Sequence, residues 1–182
     1  MAPLEVSTHD GDPARVATVL PGRGCTCDAP LLHSTRALLR DRGWTVRTVR
    51  WTTPPAPEEL LDLAPGLLDA VQSRQHLVVA KSLSTRLLPL ALQRDLPGTW
   101  LTPLLREPQV HRAAAAASAP TLLVGGSADP YWDAAAARGS GQRVLEVPGA
   151  DHSLEVAGDL DASLRVLRTV LAAVGEFLDD LP

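Results

Sequence analysis

The chain predicts a doubly wound α/β domain: a mostly parallel sheet of about six strands with helices on both faces. Two observations predict it. Short apolar runs bounded by turn signals recur along the chain, as buried strands do, for example Leu77 to Ala80 and Thr121 to Val124. Between them lie segments whose apolar residues repeat at helical spacing. Strand, helix, strand, helix in this order makes neighbouring strands parallel, joined by right-handed crossovers. The length of 182 residues suits one domain, with its core over about residues 15 to 178.

The elements follow in order. Arg15 to Leu20, RVATVL, reads as a strand ended by the turn Pro21-Gly22-Arg23-Gly24. Asp28 is placed as a helix N-cap with Pro30 in the first turn; Leu31, Leu32, Thr35, Leu38 and Leu39 share one face, and Gly43 closes the helix. Trp44 to Trp51 alternates as a strand near an edge does. After a proline-rich loop, Glu58 to Arg74 is helical and kinked at Pro65-Gly66. The strand Leu77 to Ala80 runs directly into a helix from Leu83 to about Leu92, kinked at Pro89. Thr99 to Thr102 is a short strand, and Pro108 opens a helix containing the alanine run Ala113 to Ala117. The strand Thr121 to Val124 ends at Gly125-Gly126; Tyr131 to Arg138 is a short helix; Arg143 to Val147 is the last strand. A long terminal helix carries Leu160, Leu164, Leu167, Leu171, Val174 and Leu178 as one stripe.

Composition narrows the function. Hydrophobic residues make up 45% and charged residues 21%, with a net charge of −4 and no basic run, so nucleic acid is not an expected partner. No stretch is long and apolar enough to span a bilayer, and MAPLEVSTHDGDP lacks the pattern of a secretory signal, so no membrane association and a cytoplasmic location are expected. Cys25 and Cys27, one residue apart, suit neither a disulfide nor a zinc site and read as small loop residues. No metal or cofactor is called for. Among the 17 basic residues Lys81 is the single lysine.

In such sheets function collects at the carboxyl ends of strands. Three of those ends carry reactive side chains: Ser82, Asp129 in GGSADPYW, and His152 in VPGADHSLE. A serine hydroxyl needs a base to take its proton; imidazole can do so near neutrality, and a carboxylate behind the ring fixes its tautomer. The order Ser, Asp, His is that of the α/β-hydrolases. Each residue also has a plainer reading, as an N-cap, a turn former and an exposed loop histidine respectively. All three would have to hold together at three separate strand ends. Around Ser82 the usual G-x-S-x-G is Ala80-Lys81-Ser82-Leu83-Ser84, with small residues in place of both glycines. One oxyanion donor is the N–H of Leu83; for the other, the N–H of Arg23 is preferred to that of Gly24. Gly24, Lys81 and Tyr131, on loops of the same edge, are assigned to substrate contact.

A dinucleotide site fails two checks. The third glycine of the fingerprint would fall at Cys27, and no acidic residue ends the strand at Trp51. A P-loop is excluded because Lys81 lies in no glycine-rich loop.

Taken together, LPGRGCTCDAPLL, VVAKSLST, WLTPLL, LLVGGSADPYW and VPGADHSLE resemble the small lidless α/β-hydrolases, which include dienelactone hydrolase-like and testis-expressed hydrolase-like proteins. The resemblance implies Ser82 as nucleophile, Asp129 as acid and His152 as base, acting on a small ester or thioester through an acyl-enzyme. It also implies a competing reading, a catalytically silent hydrolase-fold interaction module, since some relatives are subunits of larger complexes. Two finer expectations follow. The short segment Leu104 to Glu107, where a lid is often inserted, points to short or exposed acyl groups; Lys81, Arg23 and Arg106 point to an anionic substrate.

Overall fold

The structure is a computed structural model and describes residues 4–182. The first three residues of the stretch read as carrying no secretory signal lie outside it. The strands are β1 (Leu4–His9), β2 (Asp12–Leu20), β3 (Trp44–Trp51), β4 (Gln75–Lys81), β5 (Gly98–Leu101), β6 (Thr121–Gly126) and β7 (Arg143–Val147). They form one seven-stranded sheet in the order β1-β3-β2-β4-β5-β6-β7. All neighbours are parallel except β1, which pairs antiparallel with β3 from Leu4↔Trp51 to His9↔Val46. The sheet therefore has one strand more than the expected six. β1 leaves little trace in the sequence because an edge strand needs only one apolar face, and LEVSTH has just Leu4 and Val6 to show for it.

The helices are α1 (Pro30–Asp41), α2 (Pro57–Asp69), α3 (Leu88–Gln93), α4 (Pro108–Ala116), α5 (Ala134–Gly139) and α6 (Leu160–Asp179), with a 3₁₀ segment at Ser82–Leu87. Helices α1 and α6 cover one face, burying Leu32, Leu39, Val170 and Val174 against Val19 and Val79. Helices α2, α3 and α4 cover the other, burying Leu60, Leu68, Leu88 and Val110 against Val78, Trp100 and Leu123. Alternate residues of β4 therefore feed opposite cores, which is why its sequence is apolar without a break.

Four local expectations change. Asp28 does not cap α1: the residue before Pro30 is Ala29, without a side-chain cap, and the Asp28 carboxylate instead accepts from Arg36 (2.8 Å) and Arg50 (3.4 Å). Helix α2 runs through Pro65 but stops at Asp69, and the tyrosine-led helix begins only at Ala134, capped by Asp133. After Ser82 the chain first winds as a 3₁₀ helix, so Pro89 lies in the first turn of α3 and kinks nothing. The buried face of α6 is Val166, Val170, Val174, Phe177 and Leu178, while Leu160 and Leu164 point away from the sheet.

Strand order places the site. The chain leaves β2 for β3 on one side and returns to β4 on the other, so the loops after β2 and β4 diverge. That divergence opens a crevice at the carboxyl ends of β2 and β4.

Candidate active site

Ser82 is the residue at which β4 becomes helix, and its φ is +50°. The left-handed region is costly for a residue with a Cβ and persists only where surrounding contacts hold it. Here three do. Thr85 Oγ1 donates to the Ser82 carbonyl (2.6 Å) and accepts from the Leu104 N–H (3.2 Å). Ser84 Oγ, fully buried, donates to the Pro21 carbonyl (2.6 Å) and ties the turn to the β2–α1 loop. Gly22 lies so close that a Cβ on it would stand 2.9 Å from the Ser82 Cβ. The small residues that replace the usual elbow glycines thus leave room for this packing, and the serine at 84 adds a hydrogen bond.

The three strand-end residues meet. Ser82 Oγ is 2.7 Å from His152 Nε2, and His152 Nδ1 is 2.8 Å from Asp129 Oδ2. Asp129 Oδ1 accepts from the Tyr131 N–H at 2.9 Å. The Asp129 side chain is fully buried, whereas that of His152 is 29% exposed, so the ring has one sheltered edge and one edge open to a ligand. A chain of contacts with this polarity can draw a proton from the serine and hold the resulting imidazolium.

Glycines bring the two loops together. A Cβ on Gly126 would fall 2.0 Å from the Ala150 carbonyl oxygen, and one on Gly125 would overlap the Trp132 ring. Without those side chains the Ala128 N–H reaches the Ala150 carbonyl (3.0 Å), linking the loop of Asp129 to the loop of His152. In the sequence Gly125-Gly126 reads as a strand terminator, whereas both residues belong to β6.

The assigned contact residues separate. Lys81 borders the same cavity but is only 7% exposed, and its ammonium donates to the His152 carbonyl (2.8 Å) and to Thr102 Oγ1 (3.1 Å). It therefore clamps the histidine loop and does not project as a free cation. Burial pushes its pKa down, opposed by Cys25, Asp129, Asp151 and Glu155. Tyr131 sets its ring 4.9 Å from the His152 ring, tilted by 59°. Gly24 lines the cavity with open space around it. Arg23 and Arg106 are exposed and off the cavity lining. The Arg23 N–H sits in the exposed β2–α1 turn, and the Leu83 N–H is in the first turn of the 3₁₀ helix, where donors have no intrahelical acceptor. The Gly22 N–H is taken by Cys25 Sγ (3.3 Å). Cys27 faces the core, donates to the Val49 carbonyl (3.3 Å), and burial pushes its pKa up to about 12, so its thiol is inert. No group of side chains suited to a metal ion occurs among the described residues.

The cavity beside Ser82 and His152 measures about 700 Å³ and is walled by the β2–α1 loop, the β7–α6 loop and α6. A second hollow of about 830 Å³ opens at the amino ends of the strands. There Ser73 bonds to the Gln75 carbonyl and His76 to Thr18, so no serine–histidine pair forms.

No protein-family model matches the sequence, and no curated protein matches it at a significant level. Solved structures do match. Est1E from Butyrivibrio proteoclasticus, determined with ferulic acid bound, superposes with a TM-score of 0.76 over 97% of this chain and 94% of its own, at 12% identity. Dienelactone hydrolase from Anabaena variabilis gives 0.72 over 98% and 92%, at 18% identity. Monoacylglycerol lipase from Paleococcus ferrophilus gives 0.70 over 96% and 99%, at 12% identity. The fold is that of the α/β-hydrolases, without a lid domain. No helix among the described residues is long and apolar enough to cross a membrane.

Proposed function

We propose that the chain is a serine hydrolase that cleaves an ester or thioester through an acyl-enzyme, with Ser82 as nucleophile, His152 as general base and acid, and Asp129 as the carboxylate that orients it. The observation that carries this reading is the 2.7 Å contact between Ser82 Oγ and His152 Nε2, made by a serine in a left-handed conformation. A helix cap needs neither the strain nor the imidazole. Esterases and lipases among the structural neighbours add support.

In this reading Ser82 Oγ attacks the substrate carbonyl carbon while its proton passes to His152 Nε2. The oxyanion is met by the N–H groups of Leu83 and Arg23. Collapse of the tetrahedral intermediate expels the alcohol or thiol, which takes the proton back from His152. Water then attacks the acyl-enzyme with His152 as base, releasing the acid and regenerating Ser82. Asp129, sheltered from solvent, keeps the proton of the neutral ring on Nδ1, leaving Nε2 free to accept.

A fluorophosphonate probe followed by mass spectrometry of the labelled peptide tests this. The expected result is label on Ser82 in the wild type and none in His152→Ala. A folded wild type that takes no label between about pH 6 and 9, the range in which imidazole becomes a base, would leave the hydrolase-fold interaction module as the better reading.

A further inference from the structure

The cavity beside Ser82 has a chemical character of its own. Its floor is Leu31 and Leu32 of α1, and its outer wall is Leu160, Leu164 and Leu167 of α6. Leu160 is 74% exposed and Leu164 50%. A surface helix does not gain by turning two leucines to water, unless something apolar covers them.

The charges on the lining all but one have the same sign. Asp151, Glu155 and Asp159 are acidic, and Lys81, the one cation, has its ammonium committed to the His152 carbonyl and Thr102. Two of the carboxylates are fixed by the backbone. Asp151 accepts from the N–H groups of Ser153 (2.8 Å) and Glu155 (3.1 Å), and Asp159 caps α6 through the Ala162 N–H (2.8 Å). These bonds hold the two carboxylates in place at the mouth of the groove, where an incoming anion would meet them.

We propose that this groove binds a neutral acyl chain of medium length, with the carbonyl at Ser82 and the tail along Leu164 and Leu160, and that it rejects acyl groups ending in a carboxylate. The proposal rests on the reading of Ser82 as nucleophile, and it replaces the expected preference for short or anionic acyl groups. The span from Leu167 to Leu160 is seven residues, about 10 Å along the helix axis, comparable to an extended octanoyl chain. The short Leu104–Glu107 segment does leave that side without a lid, but α6 and the β7–α6 loop build the acyl wall from the other side.

The test is the hydrolysis of p-nitrophenyl acetate, butyrate, hexanoate and octanoate, with the p-nitrophenyl half-ester of suberic acid as the anionic match to octanoate. Burial of a methylene predicts a rise in kcat/KM of about fourfold per CH₂ while the tail remains in the groove. The half-ester is expected to be at least about tenfold slower than octanoate, with the gap narrowing as salt rises, because acidic side chains repel it. Leu164→Asp is expected to lower the octanoate-to-acetate ratio about tenfold, because it places a charge where the tail lies. Leu61→Ser, an equally exposed leucine on α2, leaves that ratio unchanged. A flat chain-length series, or a half-ester as fast as octanoate, overturns the groove proposal and leaves the hydrolase reading standing. Failure of fluorophosphonate to label Ser82 together with no turnover of any ester overturns both.

Discussion

Replacing Lys81 with Met removes an ammonium and keeps the aliphatic stem. In the folded protein that ammonium donates to the His152 carbonyl at 2.8 Å and to Thr102 Oγ1 at 3.1 Å, and Thr102 is itself fully buried with a φ of +46°. The substitution strips a donor from two sheltered acceptors, each costing about 1–3 kcal/mol when left unpaired. Against this, the variant no longer desolvates an ammonium that lacks a carboxylate partner, a relief of similar size. The net loss of stability is therefore expected to be small, about 1–2 kcal/mol, within what a domain of this size tolerates. Activity should suffer more. The His152 carbonyl is the anchor of the loop that aims the ring at Ser82, and a misplacement of about 1 Å costs roughly 100-fold in rate. Steady-state kinetics on an activated ester should show kcat down by about 10- to 100-fold with KM nearly unchanged, since Lys81 acts through His152. Lys81→Arg should not rescue, because a planar fork cannot occupy the space of a 7% exposed lysine head. A pH profile separates this role from bulk packing. Burial places the Lys81 pKa below 10.5, so the wild-type rate falls at alkaline pH before an ordinary lysine would titrate, and the Met variant lacks that limb. The stability sign is opposite. Below the folded-state pKa both folded and unfolded chains hold the proton and the burial penalty is present in full; between that pKa and 10.5 the unfolded chain binds more protons, so stability rises with pH. A Lys81→Met protein with wild-type kcat and an unchanged alkaline limb would refute the clamp.

Buried His76, bonded to Thr18 Oγ1, has its pKa pushed from 6.5 to about 4 by burial, with Arg47 adding to it. The unfolded chain takes up the proton first, so stability present above about pH 6.5 is lost as pH falls toward 4; the full window is worth roughly 3 kcal/mol. Urea titrations from about pH 7 to 4 should therefore show a steeper fall for the wild type than for His76→Leu, and parallel curves would count against it. Gly126→Ala drives a Cβ to within 2.0 Å of the Ala150 carbonyl and should cost about 1–3 kcal/mol in stability, with a fall in kcat as the His152 loop shifts. Gly139→Ala, at the end of α5 with open space around it, should instead be stabilising by up to about 1 kcal/mol. Asp129→Asn should lower kcat by about 10⁴ through the wrong imidazole tautomer while thermal melting shows a folded protein.

Periodicity alone was enough for the layered α/β plan and for six of the strands, because a strand buried on both faces must be apolar throughout and a covering helix must be apolar on one side. The same reasoning placed Ser82, Asp129 and His152 at strand ends, since a loop after a parallel strand is where a reactive side chain can be both held and reached. Elements whose burial is one-sided or borrowed were not legible. The edge strand β1 leans on β3, and the outward turn of Leu160 and Leu164 depends on which face α6 packs against the core, that of Val166, Val170 and Val174. Charge was the least legible feature. Lys81 next to Ser82 looks in the sequence like a cation offered to substrate, and only the fold shows its ammonium consumed by a carbonyl 71 residues away along the chain. Local pattern reports what a residue can do, but the partner that uses up its hydrogen bonds is chosen by tertiary contact. The negative mouth of the groove and the glycines that let two loops touch are likewise properties of packing between segments distant in sequence.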